Sequence, residues 1–208
     1  MKALLINGSP RPNGCTFTAL TELANTLEAE GIETEIVHVG NKDIRGCIAC
    51  RRCHSTGSNK CVFDDIVNEV APKLAEADAF VIGAPVYFGS PAGGAISFMD
   101  RLFFSTLNID KTMKVGASVV TCRRGGNTAS YDVLNKYFTI NCMPVVSSQY
   151  WNQVHGNTPE EVKQDLEGMQ TMRTLGRNMA FLMKSIQIGK QQIGLPEKEP
   201  AIFTNFHH

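Results

Sequence analysis

Residues 2–16 read Lys-Ala-Leu-Leu-Ile-Asn-Gly-Ser-Pro-Arg-Pro-Asn-Gly-Cys-Thr. The apolar residues at 3–6 have the length of a buried strand, and the residues after 16 repeat with the spacing of an amphipathic helix. Between the two, glycines at 8 and 14 and prolines at 10 and 12 hold the backbone in a tight turn. The stretch therefore predicts a strand, a short loop and a helix in direct succession.

The loop carries polar groups that suit a phosphate. Ser9 and Thr16 offer hydroxyls, Arg11 offers a positive charge, and the first turn of the next helix adds unpaired N–H groups and the positive end of its dipole. No lysine follows Gly14, so the metal-nucleotide P-loop pattern is absent, as is the Gly-x-Gly-x-x-Gly pattern for dinucleotides. The loop therefore favours FMN. The alternative is an ordinary turn between a strand and a helix.

The rest of the chain repeats this alternation. Strands are predicted at 2–7, 33–39, 78–83, 113–121 and 142–148. Helices are predicted at 16–30, 64–77, 94–106, 128–140 and 159–185. Strict alternation of strands and helices indicates an α/β fold whose parallel sheet is covered by helices on both faces.

Two segments carry boundary signals for these helices. Pro72, inside the second predicted helix, predicts a kink or two short pieces. Thr158, Pro159 and Glu161 predict a capped start for the last helix, with the threonine as N-cap and the glutamate completing a capping box.

The composition is that of a globular chain. It has 208 residues, of which 43% are hydrophobic, and this is enough for a full core. Lys+Arg and Asp+Glu both total 20 and are scattered, which argues against a nucleic acid or a membrane surface as partner. No apolar stretch has the length of a membrane span and the N-terminus lacks a signal-peptide pattern, so we expect a cytoplasmic protein.

The loops after the first, third and fourth predicted strands should lie together, because ligands of open parallel sheets bind outside the carboxyl ends of the strands. Residues 84–91, Ala-Pro-Val-Tyr-Phe-Gly-Ser-Pro, offer an apolar and aromatic surface for a flat ring. Residues 121–127, Thr-Cys-Arg-Arg-Gly-Gly-Asn, offer cationic and backbone donors. The alternatives are that the aromatic pair belongs to the core and that the two arginines lie on a solvated loop.

Three motifs together resemble the flavodoxin-like NAD(P)H-dependent FMN reductases. They are Ile-Asn-Gly-Ser-Pro-Arg at 6–11 with Thr16, Gly-Ala-Pro-Val-Tyr-Phe-Gly-Ser at 83–90, and Phe-Met-Asp-Arg at 98–101. The resemblance implies a flavodoxin-like three-layer sandwich with a five-stranded parallel sheet in the order 2-1-3-4-5. This domain would span residues 1–187 and would be followed by a C-terminal tail at 188–208.

The resemblance also implies which residues bind the cofactor. The phosphate would be held by Ser9, Arg11, Cys15 and Thr16. Cys15 stands where the family often has a polar residue, so its backbone N–H is the expected contact. The flavin ring would be contacted by Pro85, Val86, Tyr87, Phe88, Thr121, Arg123, Arg124, Gly125 and Gly126.

A cysteine-rich loop at 46–61 resembles the iron-sulfur flavoprotein branch of the same family. The chain has seven cysteines, an odd number that suggests metal or redox chemistry more than a disulfide scaffold. Spacings of two, two and seven residues separate the four that would hold a 4Fe–4S cluster, namely Cys47, Cys50, Cys53 and Cys61. A structural zinc site and four free thiols are the alternatives.

The implied activity is that of an FMN-dependent oxidoreductase. Reducing equivalents would pass from NAD(P)H through FMN to a quinone or another small acceptor, with no catalytic side chain because the cofactor carries the chemistry. The resemblance implies a homodimer or homotetramer. The alternative is an iron-sulfur flavoprotein that carries electrons between partner proteins.

Overall fold

The computed structural model describes residues 1–200 together with Ile202 and Thr204. Residues 201, 203 and 205–208 of the predicted tail lie outside the described residues. In chain order the elements are β1 (Lys2–Asn7), α1 (Cys15–Ala29), β2 (Glu33–His38), α2 (Arg52–Ser55), α3 (Ile66–Glu76), β3 (Ala79–Tyr87), β4 (Ser90–Pro91), α4 (Gly93–Ser105), β5 (Val115–Cys122), α5 (Asn127–Thr139), β6 (Gln153–His155), α6 (Pro159–Gln164) and α7 (Leu166–Ile193).

The strands form a parallel sheet in the order β2-β1-β3-β5-β6. This confirms the predicted order, because β5 and β6 are the fourth and fifth strands of the main sheet. One short strand was not expected: β4 pairs antiparallel with the end of β3, through Val86 with Pro91 and Tyr87 with Ser90.

Helices cover both faces of the sheet, as predicted. Successive residues of a strand point to opposite faces, so Ala3 and Leu5 pack under α1 and α7. Leu4 and Ile6 pack under α3, α4 and α5 on the other face. The result is the three-layer flavodoxin-like sandwich with a separate buried core on each side. In the described part of the chain, no helix is both long enough and apolar enough to cross a membrane.

The predicted strand at 142–148 is wrong. This segment makes a single parallel bridge, between Gly116 and Val145. The N–H of Gly116 donates to the carbonyl of Pro144 at 2.8 Å, but Pro144 has no N–H with which to extend a ladder. The chain joins the sheet further on, at β6, which pairs with the end of β5.

The helix boundaries also differ in two places. The predicted helix at 159–185 is two helices, because Asp165 ends α6 and caps α7, which continues to Ile193. The division into a domain and a tail at residue 187 stays a prediction, although α7 runs through that point. Pro72 does not divide α3 into two pieces, because the described helix runs without interruption from Ile66 to Glu76. The alternative, a kink at Pro72, stays a prediction.

The carboxylate of Asp165 should contribute measurably to stability. It accepts hydrogen bonds from the N–H of Gly168 at 2.9 Å and from the N–H of His155 at 2.6 Å. We expect Asp165→Ala to lower the free energy of unfolding by about 2 kcal/mol, since a helix cap and a second hydrogen bond are lost together. Urea unfolding followed by circular dichroism measures this, with the exposed neighbour Glu167→Ala as the control. Equal midpoints for the two variants would contradict the assignment.

Candidate functional site

The loop after β1 is closed by Asn7, a residue that the sequence reasoning missed. Asn7 is fully buried; its Nδ2 donates to the carbonyl of Pro12 at 3.0 Å, and its Oδ1 accepts from the N–H of Ser9 at 3.1 Å. The Oγ of Ser9 in turn accepts from the N–H of Arg11 at 3.2 Å. An Asn that bonds the backbone two residues on is a turn signal, so its position directly before Gly8 could have revealed this role.

The loop after β1 packs closely against the end of β2 and against α4. His38 Nε2 lies 2.7 Å from the carbonyl oxygen of Ser9, and a Cβ on Gly40 would lie 2.2 Å from that same oxygen. A Cβ on Gly8 would lie 2.8 Å from the Cβ of Ala95 on α4. The backbone of the loop is therefore fixed before any ligand binds.

The start of α1 is open to an anion. Helices α3, α6 and α7 have N-cap side chains that accept from their first-turn N–H groups, whereas the N-cap of α1 is Gly14, which has no side chain to do so. The first turn itself, Cys-Thr-Phe-Thr, is uncharged. Within the described residues Arg11 forms no ion pair, and it is exposed beside this helix end. The uncompensated positive charge and helix dipole fit a phosphate.

Thr16 joins this helix end to the centre of the sheet. Its Oγ1 lies 2.8 Å from Oγ1 of Thr121, and both residues are buried. Gly83 on β3 leaves room for the contact, because a Cβ there would lie 2.8 Å from Thr16 Cγ2. The ends of β3 and β5 therefore pack against the first turn of α1, next to the phosphate loop.

The segment after β3 is a hairpin rather than an open loop. Phe88 and Gly89 both have positive φ, 52° and 76°, as the two central residues of a type I′ turn require. The side chain of Phe88 is fully exposed at the tip. Gly126, with φ of 90°, packs against this turn, since a Cβ on it would lie 2.6 Å from the Cα of Gly89.

Most of the residues predicted to bind the cofactor line one cleft at the carboxyl edge of the sheet. Its lining includes Ser9, Arg11, Cys15, Thr16, Pro85, Val86, Tyr87, Thr121 and Arg123. Four further predicted residues lie outside that lining: Phe88, Arg124, Gly125 and Gly126. Three lining residues were not predicted: Cys122, Gly156 and Asn157. The last two follow β6, whose position the sequence reasoning misplaced.

The two thiols of the cleft are neutral. Burial raises the pKa of the Cys15 thiol, and burial likewise raises the pKa of Cys122. The Sγ of Cys15 points at the carbonyl oxygen of Gly156, 3.6 Å away. Because neither thiol is ionised at neutral pH, neither repels an anion at the start of α1.

The four cysteines of the 46–61 loop line a second, smaller pocket. Cys53 is buried on α2 and Cys61 is half-buried, whereas Cys47 and Cys50 are exposed in an irregular segment. None of the four forms a disulfide bond. Among the described residues, no group of three or more His, Cys, Asp or Glu side chains could hold a single metal ion.

The donor chemistry of this pocket fits an iron-sulfur cluster. Two sulfurs already accept hydrogen bonds, Cys47 from the N–H of Ala49 at 3.4 Å and Cys61 from Nε of Arg101 at 3.3 Å. The backbone bends sharply around the pocket, with positive φ at Ala49 and Arg51. Non-glycine residues in this region are uncommon and cluster at functional sites.

His54 anchors the short helix α2 against α4. Its Nε2 lies 3.0 Å from the carbonyl oxygen of Phe104, and the two rings are 4.3 Å apart. The neighbouring Cys53 is held on the same surface, where burial raises the pKa of its thiol. One thiol of the pocket is thus placed by packing against α4.

The chain is similar in sequence to known proteins. The family model described as NADPH-dependent FMN reductase matches residues 1–158. An iron-sulfur flavoprotein of Methanocaldococcus jannaschii is 34% identical over 194 residues, which cover 90% of this chain and 100% of that protein. An iron-sulfur flavoprotein of Methanosarcina thermophila is 28% identical over 190 residues, covering 90% of this chain and 97% of that protein.

Solved structures share the fold. RosB with bound 8-demethyl-8-formylriboflavin-5'-phosphate superposes with a TM-score of 0.73 at 19% identity, covering 100% of this chain and 92% of that one. An NAD(P)H:quinone oxidoreductase from Methanothermobacter marburgensis gives a TM-score of 0.65 at 14% identity, covering 86% of this chain and 96% of that one. The architecture and the cleft define a flavodoxin-like α/β protein. The chain belongs to the NADPH-dependent FMN reductase family.

Arg11 should contribute to binding only where a phosphate is present. We expect Arg11→Ala to raise the Kd for FMN at least about tenfold, since a charge-assisted hydrogen bond is worth roughly 1.5–3 kcal/mol. The Kd for riboflavin, which lacks the phosphate, should not change. Quenching of flavin fluorescence measures both values. Arg177→Ala is the matched control, because Arg177 is an exposed arginine of α7 that does not line the cleft, and it should leave both values unchanged. An unaltered Kd for FMN in Arg11→Ala would count against the phosphate site.

Proposed function

We propose that this chain is an oxidoreductase that passes reducing equivalents from NAD(P)H through FMN to a quinone or another small acceptor. One observation carries the proposal: nine of the residues predicted to bind FMN line a single cleft, although they come from three separate strand ends. When bound, FMN supplies hydride acceptance and the release of one or two electrons. The protein has to bind and orient it.

The phosphate would lie at the start of α1. There the first-turn N–H groups, the guanidinium of Arg11 and the hydroxyl of Ser9 are available, and the backbone is fixed by Asn7. Thr16 offers its hydroxyl from the buried side, where it also contacts Thr121. This arrangement selects a dianionic phosphate over the uncharged end of riboflavin.

The flavin ring would lie along the end of β3. Pro85 and Val86 offer an apolar surface, and Tyr87, which is 48% exposed, stands at the open side of the cleft. Arg123 lies across the cleft and can donate to the carbonyl edge of the ring, where negative charge collects on reduction. No general base of the protein is needed, because FMN, when bound, would supply the redox chemistry.

The second candidate function is electron transfer through a 4Fe–4S cluster held by Cys47, Cys50, Cys53 and Cys61. The shared pocket and the two N–H···S hydrogen bonds support it. Both relatives compared above are named iron-sulfur flavoproteins. A cluster would let the chain pass single electrons to a partner protein. The balanced charge of the chain, with 20 basic and 20 acidic residues, favours the enzyme over a dedicated carrier, since carriers of this fold are usually strongly acidic.

The proposal includes an assembly and a location. Family members are usually dimers or tetramers with the flavin near a subunit boundary, so we propose a homodimer or homotetramer. We also propose a cytoplasmic location. The balanced, scattered charge supports a protein without a nucleic acid or membrane partner.

Reduction by nicotinamides separates the enzyme from the carrier. We expect NADH or NADPH to bleach the visible flavin bands of the FMN-loaded protein within seconds, and an added quinone to restore them. Stopped-flow absorbance measures both steps, and dithionite gives the fully reduced reference. If neither nicotinamide bleaches protein that dithionite does bleach, the carrier is the better assignment.

The cysteine pocket has its own test. Protein purified without oxygen should contain about four iron and four sulfide per chain if a cluster is present. Cys50→Ser should lose most of the iron yet keep FMN, because the phosphate loop is fixed by other residues. Cys142→Ser is the matched control, since Cys142 is also an exposed cysteine but lies outside the pocket.

Metal analysis and flavin absorbance measure both contents. Stoichiometric zinc in place of iron would identify a structural zinc site. Stoichiometric FMN without any metal, after reconstitution with iron and sulfide, would show that the four cysteines are free thiols.

A further inference from the structure

Arg101 is the largest fully buried side chain of the protein's described residues. It lies on α4 with 1% of its surface exposed, and it forms part of the wall of the cysteine pocket. A buried guanidinium is stable only when its N–H groups find acceptors and its charge is balanced. The hydrogen-bond partners of Arg101 therefore indicate the role of its side chain.

A carboxylate sets the orientation of the guanidinium. Nη1 of Arg101 donates to Oδ2 of Asp65 at 2.6 Å, and Nη2 donates to Oδ1 at 3.0 Å. Such a two-point pair fixes the plane of both groups. Asp65 is itself held, because its Oδ1 caps α3 by accepting from the N–H of Val67 at 3.0 Å. Two longer contacts, to the carbonyls of Phe63 and Arg45, use further N–H groups.

With that plane fixed, Nε of Arg101 points at a sulfur. It lies 3.3 Å from Sγ of Cys61. The ring of Phe63 covers the guanidinium, with its centroid 5.1 Å from the central carbon of Arg101. The N–H···S hydrogen bond thus lies in a closely packed site, where the guanidinium of Arg101 cannot rotate away from the sulfur.

The backbone of Cys61 is held as firmly as its side chain. Asn68 on α3 accepts from the N–H of Cys61 at 2.8 Å and donates from Nδ2 to its carbonyl oxygen at 3.1 Å. Cys47 and Cys50, by contrast, are exposed on irregular chain. Cys61 is therefore a preformed thiol of the pocket, placed from both sides by α3 and α4.

We propose that Arg101 is a positioning residue for the metal centre: it donates a hydrogen bond to the sulfur of Cys61, holds that ligand in place and raises the reduction potential of the cluster. The inference rests on the proposed cluster in the cysteine pocket. Hydrogen bonds to ligand sulfurs are one of the means by which proteins set cluster potentials, because they stabilise the added negative charge of the reduced state. Partners that orient a ligand also govern how firmly the metal is kept.

The test compares Arg101→Met and Arg101→Lys with the wild-type protein, all reconstituted anaerobically with iron and sulfide. The lysine variant keeps a positive charge beside Asp65 but lacks the donor at Nε. Asp100→Asn is the matched control, since Asp100 precedes Arg101 on α4 and instead accepts from the hydroxyl of Tyr137 at 2.5 Å. Four quantities are measured: iron per chain, FMN per chain, the midpoint potential of the cluster by redox titration, and the rate of iron loss to a chelator.

We expect one FMN per chain in every variant, which shows that each has folded. Arg101→Met should have a lower midpoint potential and should lose iron at least about tenfold faster than wild type, in line with other losses of ligand-orienting partners. Arg101→Lys should fall between the two. Asp100→Asn should match wild type in all four measurements.

Three other outcomes would overturn the proposed role of Arg101. A wild-type cluster whose potential and iron-loss rate are unchanged in both Arg101 variants would overturn the role of Arg101 and leave the cluster standing. Wild-type protein that takes up FMN but no iron would overturn the cluster and this role together, while leaving the flavin enzyme intact. Loss of FMN along with iron in both variants would make Arg101 a general structural residue, which also overturns the proposal.

Discussion

The hydroxyls of Thr16 and Thr121 share a buried hydrogen bond of 2.8 Å, and the geometry of the cleft depends on it. The bond joins the first turn of α1 to the end of β5, and so joins the phosphate side of the cleft to the strand that leads to Arg123. Gly83 permits the approach from the strand between them. Leaving either hydroxyl buried without its partner would cost roughly 1–3 kcal/mol. The contact therefore sets how far apart the two sides of the ligand site lie.

The flavin cleft and the cysteine pocket differ in how many of their residues the fold holds in place without a ligand. The cleft is built on strand ends and a loop whose backbone is closed by Asn7, so its shape exists before a ligand binds. In the cysteine pocket only Cys53 and Cys61 are placed by helices, while Cys47 and Cys50 lie on exposed chain. If the proposed cluster binds there, its binding free energy would hold Cys47 and Cys50 in place. Helix α4 contacts both sites, at Gly8 through Ala95 and at Cys61 through Arg101.

The sequence predicted strands well where a continuous apolar run was the only structural signal in the segment. The bounds of β1 were predicted correctly and those of β5 to within two residues, because a fully buried strand is a continuous hydrophobic segment. The start of β3 was also predicted to within one residue, but the strand continues to Tyr87, four residues beyond its predicted end. The prediction was wrong at 142–148, where the apolar residues pack into the core beside β5 and Pro144 cannot extend a ladder. Asp165 was overlooked because it lies inside a continuous helical pattern, where a cap is visible only from the N–H groups that it accepts.

The sequence by itself determined the alternation of strands and helices and the chemistry of the loops at their ends, since periodicity and turn residues act over a few neighbouring positions. Only the tertiary structure decided which loop residues face the cleft: Arg123 lines it and its neighbour Arg124 does not. The tertiary structure also brought Arg101 to Cys61, which is 40 residues away in the chain. Such contacts depend on how helices pack across the sheet, and packing between distant segments leaves no periodic pattern in the sequence.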